Sequence, residues 1–504
     1  MIIDDAHYDV IIVGTGAGGG TLAQKLAPTG KKILILERGE VMPLEEQNRS
    51  NVDIFKKELY HAPEQWFDIA GEPFAPQTKY AVGGNTKIYG AALLRMRERD
   101  FETVTHHEGV SPEWCVKYAD FEPYYTEAEN LYQVHGTVGA DPTEPPHSAD
   151  YPYPAVGHDP QIEEVIGAIA AQSLHPASLP MALTRQTDDP TNDSEVSGIN
   201  PALQHPNVTL KTSATVTSLH TNPSGKEVKA VEAEIGGQPY LFLGDIIVLA
   251  CGAINTAAVL LRSCSEACSQ GLANSSGLVG RNLMKHRLSS VVQLSKPNSG
   301  KFQRSVYVND FYWGEEGFDY PMGHIYNTGG LLQDIIFAES PPVLSVLAKM
   351  MPGFGLQQMA TRSIGWWVQS EDLPSADNRV RVDSKKLYVD YTPNNTEPHE
   401  RLVYRWTEVL KTAEKGMDKS LLQMSGRHPS GEMPLSVVAN ACGTCRFGED
   451  PATSVLNPDC RAHDVDNLYI VDGSFFPSIS ATSPALTIMA NALRVGDRLI
   501  ERLK

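Results

Sequence analysis

The sequence predicts a chain of the α/β class, in which a parallel-sheet domain is interrupted by an inserted α+β domain. Three observations predict it. The chain opens on a strand, a glycine turn, a helix and a second strand. Strand-to-glycine-to-helix texture returns near residues 245–261 and again at the C-terminus. Residues 291–434 differ, mixing strand-like alternation with turns and one long helical region. At 504 residues the chain also exceeds the usual size of a single core.

Taken in order, Tyr8 to Val13 is a β-branched run that reads as a buried strand. Gly14-Thr15-Gly16-Ala17-Gly18-Gly19 follows, then a helix-like Leu22 to Leu26. A second strand, Lys32 to Leu36, ends on Glu37 and Arg38. In that setting the glycines read as a Rossmann-like dinucleotide site. Gly14 permits a tight turn, Gly16 lets the backbone approach a pyrophosphate, and Gly19 permits close helix–strand contact. The helix start at Ala17 and Gly18 offers free N–H groups to phosphate. Glu37 can accept hydrogen bonds from a ribose diol and would repel a 2′-phosphate.

Residues 41–80 are polar with scattered aromatics and read as an extension over the surface. Residues 81–90 are too polar and glycine-rich for a simple helix. Residues 118–134 have helical spacing, and 137–157 read as loop. Asn207 to Leu219 alternates as one strand, with 229–235 and 240–249 as a hairpin beside it. The strand Asp245 to Ala250 runs into Cys251-Gly252-Ala253 and a helix-like Asn255 to Leu261. Further on, Leu387 to Tyr391 reads as a strand and Glu400 to Lys415 as a helix. Asn467 to Val471 is a strand, Asp472-Gly473 its turn, and Leu486 to Ile500 a largely buried helix. The first domain is therefore expected at 1–45, 75–105, 205–290 and 435–504. The substrate domain and its extensions are expected at 46–74, 106–204 and 291–434.

The formal charge of −19 disfavours nucleic acid and anionic membrane surfaces as partners. No run of 18 apolar residues exists, so no integral membrane segment is expected. Seven cysteines in a chain this long do not suggest a disulfide scaffold, and the cytoplasm is the expected location. Cys442-x-x-Cys445 reads as packing, because one pair cannot complete a tetrahedral zinc site. Cys264 and Cys268 stand four apart on what reads as a helix end, and no metal site is expected. The apolar stretches Leu331 to Phe337 and Val343 to Met351 read first as domain packing. As walls of a greasy cavity they would favour a small hydrophobic, lipid- or terpenoid-like substrate over a sugar, and as an exposed surface they would suit membrane or partner docking.

Together these segments resemble the glucose–methanol–choline (GMC) family of FAD-dependent oxidoreductases. The resemblance rests on Gly14 to Gly19 with Glu37, Val82 to Thr86, Cys251 to Thr256, Gly271 to Ser276, Cys442 to Gly448 and Asn467 to Ser474. It implies FAD as cofactor and a substrate domain built on a mainly antiparallel sheet. It implies that Gly83, Gly84, Asn85 and Thr86 run beside the isoalloxazine and pyrophosphate, and that the Val216 region approaches the adenine. The resemblance also implies that Cys251 and Gly252 belong to the same cofactor site. Asp472-Gly473 would close over the phosphates and ribityl chain. Pro484, Ala485 and Leu486 would flank the pyrimidine edge of the flavin.

The resemblance also exposes a departure. The family carries a histidine three residues before the glycine of the Gly-Thr-Cys segment; here that position is Asn440. Its usual asparagine or histidine partner is Ser483. Neither side chain is a useful base at neutral pH, so both are expected to face and orient substrate. Three outcomes follow. The chain oxidises an organic substrate by hydride transfer to flavin N5, with another base or none; or it serves a flavin-dependent lyase, decarboxylase, isomerase or light-driven reaction; or it binds FAD with little catalysis. His106, His107, His286, His399 and His428 read first as surface or packing residues and second as substitute bases. Tyr89 stands where relatives carry an asparagine near the flavin, and could cover the ring or fill space. The acceptor that reoxidises the flavin is open among oxygen, a quinone and others.

Overall fold

The computed structural model describes residues 2–42, 62–183, 192–294, 304–330, 363–383, 386–416, 428 and 430–504; the apolar stretch at 331–351 lies outside them. The principal elements, in chain order, are β1 (Ile2–Val13), α1 (Ala17–Leu26), β2 (Ile33–Leu36), α2 (Tyr118–Leu131) and α3 (Pro160–Ala170). Then come β3 (Val208–Lys211), β4 (Ala214–Thr221), β5 (Val228–Ile235), β6 (Gln238–Leu249) and α4 (Ala253–Arg262). The last are β7 (Arg287–Leu294), β8 (Val306–Val308), β9 (His324–Gly330), β10 (Ser363–Ser370), α5 (Thr396–Gly416) and α6 (Ala485–Arg502).

The first sheet has the order β3-β2-β1-β6-β5-β4, with Leu468–Ile470 beside β6. The pairs β3·β2, β2·β1 and β1·β6 are parallel, while β4 and β5 form the antiparallel flank. Val10 to Val13, Ile33 to Leu36 and Ile246 to Leu249 are buried. Continuous apolar runs of this kind mark parallel strands covered on both faces. The strand expected at 207–219 is instead two. Ser213 takes a left-handed backbone (φ 52) and its N–H bonds Gly39 O, so the chain bends between β3 and β4. Cys264 and Cys268 lie beyond the end of α4, not on it.

The second sheet is antiparallel throughout. Its order is 430–432, β7, β10, β9, β8 and 177–178. Period-two alternation gives it two faces. Val291, Val306, Val308, Ile325, Ile364, Trp366 and Val368 pack against Ile162, Val165 and Ile169 of α3 and Leu402, Trp406 and Leu410 of α5. Trp366 and Trp406 meet with ring centres 4.8 Å apart. The opposite face carries Tyr307, Tyr326 and Trp367, which join the core of the first domain. The substrate-side sheet is thus bolted to helices behind and presents aromatic side chains in front. No helix among the described residues is long and apolar enough to cross a membrane.

Candidate active site

The cofactor half is built from backbone. Gly14 has φ 102, and a Cβ there would lie 2.4 Å from Ala250 O, so the turn closes tightly on the end of β6. Gly16 caps α1 with no side chain on the helix N-terminus, and a Cβ there would meet nothing within 4 Å. The free N–H groups of Ala17 and Gly18 therefore open onto a space where a phosphate fits. Gly83 to Thr86 is brought against this turn. Gly83 N donates to Thr15 Oγ1 (3.0 Å), and a Cβ on Gly84 would lie 3.0 Å from Gly16 Cα. Asn85 and Thr86 hold the segment: Asn85 Oδ1 accepts from Thr78 and Lys79, and Thr86 Oγ1 accepts from Ser194 N.

Glu37 is buried at the end of β2. Its carboxylate accepts from Thr15 N (3.1 Å), Thr15 Oγ1 (2.6 Å) and Gly39 N (2.8 Å). Burial pushes its pKa up, against those bonds. A carboxylate offers about four lone-pair directions, so room remains for a further donor. Arg38 turns the other way, stacking on Tyr80 (3.7 Å) and forking onto Glu64 (2.7 Å). Val216 lies on β4 two residues past Ala214, whose N–H bonds Glu37 O.

Two further helix starts converge here. Gly252 caps α4, its N–H donating to Asp472 Oδ2 (3.0 Å); Thr256 Oγ1 donates to the same oxygen, while Ser474 N and Oγ bond Oδ1. Four donors make Asp472 a strut between α4 and the Gly473 turn. Burial raises its pKa nonetheless. Cys251, beside Gly252, has its thiol pushed up to about 12 by burial, so it stays neutral. Pro484 starts α6 with no side-chain cap, leaving the first N–H groups of that helix, at Ala485 and Leu486, free. Ala441 O and the Ile488 side chain both approach Gly473, so Asn440, Gly473 and α6 meet at one place.

The substrate half is built from side chains. Asn440 and Ser483 are both half-buried. The 480–483 loop is pinned to the second sheet: Gln369 Nε2 donates to Ala481 O (2.8 Å), and Ala481 N donates to the Tyr312 hydroxyl oxygen (3.2 Å). Tyr312 in turn donates to Asp100 (2.8 Å), whose carboxyl is pushed up to about 7 by burial and by Glu371 nearby. One cross-strand row faces this loop: Ser290 opposite Trp367, Trp367 opposite Tyr326, Tyr326 opposite Tyr307. Ser483 lies beside the Tyr326 hydroxyl, and the charge of Arg304 acts on the same hydroxyl.

The histidines separate. His286 is buried, neither ring nitrogen has a hydrogen-bond partner among the described residues, and the carbonyls of Ser480 and Thr482 face it. Burial pushes its pKa down to about 4. Met284 and Cys442 exchange two backbone bonds (3.0 and 2.8 Å), so His286 and Asn440 each stand two residues along from that bridge. His106 pairs with Glu371 (3.3 Å), His107 packs on Phe318 and Tyr320, His399 sits between Ser289 and Ser370 behind the sheet, and His428 bonds Glu414. Tyr89 is committed to Asn192 O. Cys442 and Cys445 are buried in packing.

Tyr307, Tyr326, Trp367, Arg304 and His324 gather here with no mark of it in their separate segments of sequence. His324 stacks on Tyr326 (5.0 Å) and bonds Asn309 (2.7 Å), which donates to Asp141 (2.7 Å). The alternation Ile364, Trp366, Val368 against Trp367, Gln369 was the available signal; which strands lay beside it was not readable from one segment.

Two family models described as GMC oxidoreductase match the chain, one over residues 8–288 and one over 374–492. The chain is similar to paromamine 6'-oxidase of Streptomyces fradiae, at 26% identity over 97% of this chain and 91% of the relative. It is similar to 2-methyl-1,2-propanediol dehydrogenase of Mycolicibacterium austroafricanum, at 28% identity over 98% of this chain and 95% of the relative. Among solved structures, pyridoxine 4-oxidase from Mesorbium loti superposes with a TM-score of 0.69 at 17% identity, covering 97% of this chain and 99% of that one. Formate oxidase gives 0.71 at 15% identity, covering 99% of each.

Proposed function

This chain belongs to the GMC oxidoreductase family and is an FAD-dependent oxidoreductase, and on that premise we propose that it oxidises an alcohol carbon of a small organic substrate. The face formed by Tyr307, Tyr326 and Trp367 would bear on the substrate. FAD, when bound, would supply the two-electron acceptor for the hydride. Gly14, Gly16, Ala17, Gly18 and Gly83 to Thr86 would hold its pyrophosphate side, Glu37 its ribose, Val216 its adenine edge, and the start of α6 its pyrimidine edge. Relatives named for a propanediol and for pyridoxine support an alcohol-bearing substrate. The aromatic face supports one with an apolar body. The division into 1–45, 75–105, 205–290 and 435–504 against the remainder is supported by the separation of the two sheets.

The observation that carries the reading is Ser483 beside Tyr326, with the buried imidazole of His286 set against the Ser480 and Thr482 carbonyls of the same loop. Asn440 and Ser483 orient the substrate hydroxyl. His286 takes its proton in place of the imidazole that Asn440 lacks. Held near pKa 4 by burial, it is uncharged at neutral pH and presents a lone pair. Negative charge growing on the alcohol oxygen strengthens its hold on that proton, because attraction between charges is strong in a water-poor site.

Anaerobic mixing with primary alcohols tests this. Bleaching of the oxidised flavin band is expected, with His286→Gln slower by about 10²–10⁴-fold while retaining FAD. The wild-type rate should be level from pH 6 to 8 and fall as pH drops towards 4, where the imidazole becomes charged. Bleaching unaffected by His286→Gln would remove that residue from the chemistry. Turnover with no bleaching would favour the redox-neutral lyase or isomerase class. Recovery in air or with an added quinone identifies the acceptor.

A further inference from the structure

Arg304 brings a positive charge to the aromatic face with no carboxylate beside it among the described residues. Its guanidinium carbon lies 5.4 Å from the centre of the Trp367 ring. Its Nη1 stands where a side chain on Gly90 would begin, 1.7 Å from an added Cβ, so the group rests directly on the Tyr89–Gly90 step. Its one hydrogen bond among the described residues is a long contact from Nε to Thr328 O (3.4 Å). The buried arginines are paired, Arg95 with Glu129 (2.7 Å), Arg97 with Asp141 and Arg287 with Glu432 (2.7 Å). The half-buried Arg281 and Arg446, with no carboxylate among the described residues, donate to backbone carbonyls at 2.9–3.0 Å, closer than the 3.4 Å contact of Arg304. A half-buried guanidinium without an acid leaves its desolvation uncompensated. A guanidinium stacked on an indole keeps its planar fork of N–H donors free, in the geometry that matches an oxyanion.

We propose that the substrate carries a carboxylate or another oxyanion, held by the Arg304 fork, with its body on Trp367 and Tyr326 and its carbinol towards Ser483 and Asn440. This rests on the alcohol-oxidising site proposed above. The formal charge of −19 would otherwise disfavour an anionic ligand. The local cation against Gly90 supplies the exception.

The test uses the purified flavoprotein, with Arg304→Gln and Arg304→Lys, checked first for FAD content. Benzoate is titrated against the flavin absorption spectrum, which needs no turnover. Binding is expected, weaker by about ten- to a hundredfold in Arg304→Gln, since a charge-assisted pair is lost, with part recovered in Arg304→Lys. In turnover, the ratio of kcat/KM for 4-(hydroxymethyl)benzoate over benzyl alcohol should exceed ten and fall at least tenfold in Arg304→Gln. Tighter binding of phenyl phosphate than of benzoate would support the anion site and assign it to phosphate esters. Oxidation of benzyl alcohol with no preference for the carboxylate would overturn the anion proposal alone. Benzoate binding lost in Arg304→Gln, in a protein that bleaches with no alcohol, would keep the anion site and overturn the alcohol reading. Equal benzoate affinity in wild type and Arg304→Gln would overturn the anion proposal.

Discussion

Replacing Gly16 with alanine should remove FAD and leave the fold. Gly16 has φ −67 and ψ −166, extended backbone open to any residue, and an added Cβ meets no protein atom within 4 Å. The cost to the apoprotein is then the difference between glycine and alanine as helix caps, under about 1 kcal/mol. The cost to the cofactor is larger, because the methyl occupies the space through which a pyrophosphate reaches the helix N-terminus. Losing two N–H bonds to phosphate, each worth about 1.5–3 kcal/mol, weakens FAD binding by about 10²–10⁴-fold. Gly18→Ala provides the contrast. Its Cβ would lie 2.1 Å from Val471 O, so backbone must move and the apoprotein itself should lose stability, by about 1–3 kcal/mol or more. The assay is the ratio of flavin to protein absorbance after purification, titration of apoprotein with FAD, and the Tm of each apo form. Apo forms are compared because a bound ligand raises Tm by mass action. Wild-type FAD affinity in Gly16→Ala, or an apo Tm as low as that of Gly18→Ala, would refute the reasoning.

Asn440→His should keep its FAD, because Asn440 belongs to the substrate half; loss of the yellow chromophore on purification would contradict that placement. Asp100→Asn should flatten the dependence of stability on pH. Its folded pKa near 7 lies above the ordinary 3.8, so stability is fully present below about pH 4, declines by about 1.4 kcal/mol per pH unit, and is lost above 7, for a total of about 4 kcal/mol. The asparagine keeps an oxygen for Arg97 N and Tyr312. Wild-type Tm should therefore fall from pH 5 to pH 8 more than that of the variant, and parallel curves would show that Asp100 does not titrate there.

The cofactor half was legible because its chemistry is local in sequence. A strand, a glycine turn and a helix occupy adjacent residues, and the proposed binding groups are backbone N–H groups. The observed α1, α4 and α6 begin where glycine or proline ends the preceding segment: Gly16, Gly252 and Pro484. The substrate half was not legible because it is assembled by pairing. Ser290, Tyr307, Tyr326 and Trp367 become one row only through the register of four antiparallel strands. Nothing in Arg304 or Gly90 taken singly signals that one rests on the other. The break at Ser213 was also hidden, since a left-handed serine leaves no mark on an alternating pattern.

The proposed replacement for the missing imidazole rests on that pairing. Asn440 and His286 flank a bridge in which Met284 and Cys442 bond each other twice. His286 has a left-handed backbone (φ 67), and its side chain meets the carbonyls of Ser480 and Thr482. On the proposed reading, an imidazole at either position would serve the same substrate hydroxyl. The exchange His286→Asn with Asn440→His tests this directly. If the two positions are alternative sources of one proton acceptor, the double variant should bleach with alcohol at least tenfold faster than His286→Asn alone, with FAD content equal in both. A double variant no faster than His286→Asn would show that the two positions do not share a function, and that the proton leaves by a route through neither.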